Sequence, residues 1–228
     1  IGTLSFWFKR CQVNRGVASG STKIIQYQGS PTYFSMYMDD RSANANWSRL
    51  RIHMDDTQSP QYVVGTEMRF RDCNAWYHIV IRIDTTQATA ANRIRVYVNG
   101  GGGISGGGYA QLGGLSDEGN QPAQNYDIPG WASGETTTIG GGSSMYLAQM
   151  IFADGQSYAP STFGSFDSNG EWVPNSSPTV TYGNNGYKLD FIGTGASADT
   201  NGFGADTSGN ANHFASSNLG DNPNVTAA

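Results

Sequence analysis

Apolar and polar residues alternate with a period of two along several stretches of this chain. Leu4, Phe6 and Phe8 are separated by single intervening residues, and the same alternation runs through residues 49–54 and 77–83. This period places one set of side chains on one face of a β-strand. Further strands are predicted at residues 23–28, 33–38, 93–98, 136–139, 146–152 and 187–192. At least nine strands are thus expected, enough for two packed antiparallel sheets.

The composition leaves no room for a helical core. Of 228 residues, 31 are Gly and 14% are charged, so strong helix formers are too few for a bundle or a doubly wound α/β domain. One short helical turn is predicted at residues 159–164, where Pro160 can open the turn and Gly164 can close it. The predicted fold class is all-β, with strands joined by turns rich in Gly, Asn, Asp and Ser.

Two long segments lack the periodicity of a strand or a helix. Residues 99–135 hold twelve Gly among thirty-seven residues, whereas ordinary hairpin loops run to about five residues. Residues 193–228 are rich in Gly, Asn, Ser, Ala and Asp, which is typical of a solvated segment. We therefore expect a sandwich over residues 1–192 and, over residues 193–228, an irregular C-terminal extension or the start of a further module.

Charge and hydropathy exclude nucleic acid as a partner and insertion into a membrane. The net charge is −5, and the basic stripe that binds phosphates is absent from the sequence. The longest apolar runs, such as residues 150–153, are far shorter than the ~20 residues of a membrane span. Most arginines alternate with apolar residues, which predicts the solvent face of strands for Arg49, Arg51, Arg69, Arg71, Arg82, Arg93 and Arg95.

Several strings of residues look like a known family. Residues 75–87 and 92–100 resemble the central hairpin of laminin-G-like, concanavalin A-like domains, and residues 4–10 resemble their early strand. Others are similar to laminin-G-like modules in virion proteins of aquatic bacteriophages, namely residues 148–156, 160–164, 169–174, 183–191 and 206–212. The resemblance implies a jelly-roll sandwich on the surface of a virion. Such modules usually carry a strand before this early strand, so we expect further residues upstream of Ile1.

The function implied by this resemblance is a non-enzymatic module, in a tail fibre or receptor-binding protein, that contacts host-surface glycans and other virion proteins. A capsid decoration or cement protein with a structural role is the alternative, and a polysaccharide hydrolase is a second one. Because virion appendages and shells are symmetric assemblies, a homo-oligomer is expected.

No catalytic residues are assigned from the sequence. Glucanases of this fold carry a closely spaced Glu-x-Asp-x-x-Glu strand, which is absent, and the four Glu residues of this chain lie far apart. His53 and His78 fall on the polar sides of alternating strands, so exposed positions on a sheet are predicted for both.

Candidate glycan-binding residues lie in the long Gly-rich segment. Sugar rings are bound by aromatic faces together with a few polar partners, and Tyr109, Tyr126, Asp127 and Trp131 supply these residue types. The alternative is that the same residues anchor the segment on the sandwich.

Calcium is the only cofactor that the sequence suggests. Hard cations bind clustered oxygen ligands, and the candidate ligands are Asp39, Asp40, Asp55, Asp56 and Asp206. No complete loop of ligands is present. Since Asp is also a common turn residue, a role in turns is the alternative.

Cys11 and Cys73 flank two predicted strands. If these strands are antiparallel neighbours, as in related sandwiches, the thiols could meet and form a disulfide. Phage proteins fold in a reducing cytoplasm, which favours free thiols. Both outcomes stay open from the sequence.

Overall fold

A computed structural model describes residues 1–11, 13, 21–28, 32–40, 48–56, 62–101, 121–131, 136–140 and 145–217, with side chains for all except residues 21, 22, 28, 55 and 56. The strands in this part of the chain are β1 (Gly2–Arg10), β2 (Ser21–Gln28), β3 (Thr32–Asp39), β4 (Arg49–Asp56), β5 (Tyr62–Arg69), β6 (Trp76–Ile83), β7 (Ile94–Val98), β8 (Thr137–Ile139), β9 (Met145–Asp154), β10 (Gly164–Phe166), β11 (Trp172–Pro174) and β12 (Tyr187–Leu189). Among the described residues, helical backbone is confined to short 3₁₀ turns at Ala90–Asn92, Asn99–Gly101 and Pro160–Thr162.

Ten of these strands form two antiparallel sheets of five strands each. Sheet 1 has the order β12-β9-β1-β6-β7 and sheet 2 the order β5-β4-β3-β2-β8, while β10 and β11 form a separate hairpin. Every neighbouring pair runs antiparallel. The predicted fold class is confirmed: the chain is an all-β jelly-roll sandwich.

The apolar residues of the alternating strands fill the space between the sheets. Phe6 and Phe8 of β1, Met36 of β3, Ile52 of β4 and Ile79 of β6 are at most 1% exposed and belong to one apolar cluster. Burying a side chain of this size contributes about 1.5–3 kcal/mol. The period-two pattern therefore decides which face of each strand points inward.

All nine predicted strands are present, and so is the predicted helical turn, at Pro160–Thr162. Three strands, β5, β10 and β11, were not predicted from the sequence pattern. In β5 the residues from Tyr62 to Thr66 are buried on both faces, so the strand shows no alternation. At the other end of the chain, β12 stops at Leu189, short of the predicted Ile192, and Phe191 has a φ of 57°, which is incompatible with extended backbone.

The outer face of sheet 1 is covered by a second, smaller apolar cluster. Val80, Tyr97, Ile151 and Phe163 are buried there, and Tyr158, Val180 and Tyr182 pack against them. The covering residues come from the segment between β9 and β12. The polar side of β1 and β6 is therefore not a solvent face, although the alternation predicted one.

Two buried ion pairs join the ends of strands. The Arg10 guanidinium pairs with Asp40, both 1% exposed, and also donates to the carbonyl of Phe70 at 3.0 Å. The Arg51 guanidinium pairs with Asp39 at 2.7 Å, at exposures of 6% and 0% for the two side chains. The predicted solvent-facing position is therefore wrong for Arg51, because its charge is neutralised within the sandwich.

Residues 193–217 lie against the sandwich. The backbone of Asp206 bridges to that of Leu189, and Gly204 bridges to Phe214. The Phe214 ring makes an edge contact with Tyr187, with the centroids 5.0 Å apart. The described part of the predicted extension thus adds apolar contacts to the edge of sheet 1.

Replacing Asp40 with Asn tests the contribution of the first ion pair. Because the Arg10 guanidinium would stay buried without its countercharge, we expect the free energy of unfolding to fall by about 3 kcal/mol. Urea denaturation measures this change. Lys188→Gln is the control, since it removes the more exposed pair with Asp190 and should cost less than about 1 kcal/mol. If both variants lose the same free energy of unfolding, the buried pair does not make the larger contribution expected of it.

Candidate ligand-binding surface

The structure places two of the predicted glycan-binding residues against the core. The Trp131 ring packs on Phe152 and Phe34, with centroids 4.8 and 6.2 Å away. A Cβ atom added to Gly2 would lie 2.4 Å from the Trp131 ring, so the two residues are in close contact. Tyr126 makes an edge contact with the ring of Tyr62 at 4.8 Å. With these contacts, Trp131 and Tyr126 anchor the Gly-rich segment on the sandwich.

Asp127 is exposed, and Tyr109 lies outside the described residues. A direct role of Tyr109, Tyr126, Asp127 or Trp131 in glycan binding stays a prediction. The Trp131 ring already packs on two core phenylalanines. A glycan would have to contact the part of the ring that these residues leave free.

The candidate calcium ligands are dispersed and largely occupied by other groups. Asp39 and Asp40 are paired with arginines, and the side chains of Asp55 and Asp56 lie outside the described part. The Asp206 carboxylate accepts hydrogen bonds from the backbone N–H groups of Lys188, Ser208 and Asn212 at 2.8–2.9 Å. Within the described ranges, no group of three His, Cys, Asp or Glu residues could hold a metal ion.

Asp206 organises a polar turn that ties the C-terminal segment to the sandwich. Ser208 donates its hydroxyl hydrogen to this carboxylate at 2.8 Å. The Asn210 and Asn212 side-chain amides both donate to the carbonyl of Gly186, each at 2.9 Å. These bonds give the motif at residues 206–212 a structural role, in line with the alternative that Asp serves turns.

Cys11 and Cys73 are free thiols in the structure, the first exposed and the second half-buried. The predicted strand pairing that could bring them together is present, since Lys9 of β1 lies opposite Trp76 of β6. The two cysteines therefore flank adjacent strands at one end of sheet 1 without a bond between them.

His78 is the centre of a buried polar and aromatic cluster that the sequence analysis missed. It is 1% exposed, so the predicted exposed position is wrong. Its ring stacks on Trp7 at 4.8 Å and on Trp172 at 5.9 Å. Trp172 belongs to β11, which follows His78 by ninety-four residues, and no local pattern could connect the two.

The hydrogen bonds of His78 determine its tautomer. The Trp172 indole Nε1–H, which can only donate, bonds to Nδ1 of His78 at 2.9 Å. The proton of the neutral ring therefore sits on Nε2, which donates to the Ser5 hydroxyl at 2.9 Å. In this arrangement His78 cannot accept the Ser5 proton, as the base of a nucleophilic pair must.

Burial lowers the pKa of His78 from 6.5 to about 3, because the charged imidazolium would lose its hydration. The neutral ring forms part of a shallow depression, also lined by Gln149, Asn175 and Lys188. The enclosed space is about that of one water molecule. It is too small for a sugar ring.

A row of three residues crosses the same face of sheet 1 at the end nearest Cys11. Lys9 of the central strand β1 lies directly opposite Trp76 of β6 on one side and Tyr146 of β9 on the other. Trp76 is 42% exposed and Tyr146 is 58% exposed, although both are large apolar side chains. We call this set the Trp76–Lys9–Tyr146 row.

Comparisons with known proteins identify the class of fold. A family model of the concanavalin A-like lectin/glucanases superfamily matches residues 2–114, which carry β1 to β7. No curated protein matches the chain. Among solved structures, the chain is similar to a native heptameric SAP-like pentraxin from Limulus polyphemus, with 15% identity and a TM-score of 0.34 over 69% of this chain. It spans 65% of the length of that pentraxin chain.

The protein thus has a lectin-like fold of the concanavalin A-like lectin/glucanase type, as the sequence resemblance implied. Both binding proteins and enzymes carry folds of this type, so the fold alone does not specify the activity.

Replacing Trp131 with Ala should test its role as an anchor. Because the ring packs on Phe34 and Phe152, we expect the free energy of unfolding to fall by about 2 kcal/mol or more, measured by urea denaturation. Asp127→Ala, in the same segment but exposed, should stay within about 0.5 kcal/mol of the wild type. A Trp131→Ala protein as stable as the wild type would refute this role.

The buried neutral His78 predicts a pH dependence of stability. Between pH 6.5 and about 3 the unfolded chain binds a proton at this residue and the folded chain does not. Stability should therefore fall with decreasing pH over this window, by up to about 1.4 kcal/mol per pH unit. NMR titration of the folded protein provides a direct check, because the His78 ring should remain neutral at pH 5. A ring that is protonated at that pH would contradict the assignment.

Proposed function

We propose that this protein is a carbohydrate-binding module that contacts glycans through the Trp76–Lys9–Tyr146 row. The observation that carries the proposal is the exposure of two large aromatic rings side by side on a sheet whose remaining outer face is largely covered. Aromatic faces stack on the apolar C–H faces of sugar rings, and nearby polar groups orient the hydroxyls.

The geometry of the two rings supports this role. Trp76 and Tyr146 stand on strands that flank β1, so their backbones are about 10 Å apart. Their ring centroids are only 6.4 Å apart, and the ring planes are inclined by 52°. The rings therefore lean towards each other above the strand that carries Lys9, and each keeps a large part of its surface open to solvent.

The proposal favours binding over catalysis. Asp39 and Asp40 are paired with buried arginines, and the Ser5–His78 pair has the wrong tautomer for activating a nucleophile. We therefore propose a non-enzymatic role. A polysaccharide hydrolase would release reducing ends from a bound glycan, which an end-group assay detects.

We place this module on the surface of a bacteriophage particle, in a tail fibre or receptor-binding protein that contacts host-surface glycans. This part of the proposal is supported by the sequence resemblance of residues 148–156, 169–174 and 206–212 to modules of virion proteins. Other virion proteins and further copies of this chain would be its assembly partners. The position of the chain in a reconstruction of an intact particle tests this placement.

Trp76→Ala and Tyr146→Ala should each weaken glycan binding at least about tenfold, because each removes one stacking surface of the Trp76–Lys9–Tyr146 row. Binding to an array of bacterial surface polysaccharides measures the effect. Since both side chains are exposed, the variants should unfold at nearly the same urea concentration as the wild type.

Ile192→Ala is the matched control, because it also removes an exposed apolar side chain, 64% exposed, but lies outside the row. Binding that survives in both row variants would move the site elsewhere. If the wild-type protein binds no glycan on the array, the proposed function is contradicted. That result is expected of a purely structural decoration protein.

A further inference from the structure

Lys9 differs from the ion-paired cations in the described part of the chain. Arg10, Arg51 and Lys188 are all paired with carboxylates. The Lys9 side chain is half-buried, yet among the described residues its ammonium group has no ion pair, hydrogen bond or cation–π contact. Its strand, β1, lies between the strands that carry Trp76 and Tyr146.

We propose that the Trp76–Lys9–Tyr146 row selects acidic polysaccharides, with the Lys9 ammonium group binding a carboxylate or sulfate on the sugar. This inference rests on the proposed function and specifies the class of its ligand. The apolar face of a pyranose ring stacks on Trp76 or Tyr146, and the anionic substituent of that sugar or of its neighbour binds Lys9, which stands between the two aromatic residues.

Physical chemistry favours an anion at this position. The Lys9 ammonium group has no countercharge among the described residues, and a bound anion would supply one through a charge-assisted hydrogen bond. A neutral sugar would stack equally well but would leave the ammonium group without a countercharge.

The chain offers a matched control for Lys9. Lys23 of β2 is also a half-buried lysine without a partner among the described residues, and it stands on sheet 2 instead of sheet 1. Lys9→Met and Lys23→Met therefore remove the same charge and keep a similar stem, but only the first variant alters the row.

The experiment compares acidic polysaccharides with their neutral derivatives. The probes are alginate, polygalacturonate and hyaluronan, each beside its carboxyl-reduced form, and sulfated carrageenan beside its desulfated form. Dissociation constants are measured at low salt for the wild type, Lys9→Met, Lys9→Arg, Lys23→Met and Trp76→Ala. The bacterial polysaccharide array is run in parallel.

We expect the wild type to bind at least one acidic polysaccharide about fivefold or more tightly than its neutral derivative. This preference should disappear in Lys9→Met and persist in Lys9→Arg and Lys23→Met, while Trp76→Ala should weaken both forms. Comparing the uronate polysaccharides with sulfated carrageenan shows which anion is preferred. Added salt should reduce the preference for the acidic form over the neutral one.

Two outcomes separate the failure of this inference from that of the proposed function. If the wild type binds only neutral glycans, or binds acidic and neutral forms equally, and Trp76→Ala abolishes that binding, the acidic selectivity is wrong and the carbohydrate-binding function stands. If no probe and no glycan on the array binds, the proposed function fails and the selectivity with it. A preference that persists in Lys9→Met would likewise overturn the role of Lys9.

Discussion

The structure depends on the burial of β1 on both of its faces. This strand lies at the centre of sheet 1, between β6 and β9. Phe6 and Phe8 point into the core, whereas Ser5 and Trp7 point outward and contact His78. Since a shift of one residue would exchange the two sets of side chains, the register of the strand is set by both layers at once. This strand therefore positions both the residues that cover the outer face of sheet 1 and the Trp76–Lys9–Tyr146 row.

The hairpin of β10 and β11 is held on sheet 1 by the ring of Trp172. This ring donates a hydrogen bond to His78 and lies against the backbone of Gly100. A Cβ atom at Gly100 would come within 2.3 Å of the ring, and the φ of 75° at this position also favours glycine. The close approach lets the hairpin cover the middle of the sheet. The end that carries Trp76 and Tyr146 keeps both rings exposed.

The aromatic residues of this protein therefore serve two different purposes. Trp131 and Trp172 fix loops on the sandwich by packing on rings or backbone already in place. Trp76 and Tyr146 make their closest aromatic contact with each other and leave much of their surface to solvent. Residue type alone cannot distinguish these roles, because the same large apolar ring can be buried in a core or can stack on a ligand.

The sequence by itself determined the fold class, nine of the strands and the 3₁₀ turn at Pro160–Thr162, because a period of two and a Pro–Gly pair are local signals. Only the tertiary structure decided where the site is. The burial of His78 and the pairing of Arg51 depend on residues distant in sequence. Trp76, Lys9 and Tyr146 likewise come from three strands, and their juxtaposition follows from sheet register, a long-range property.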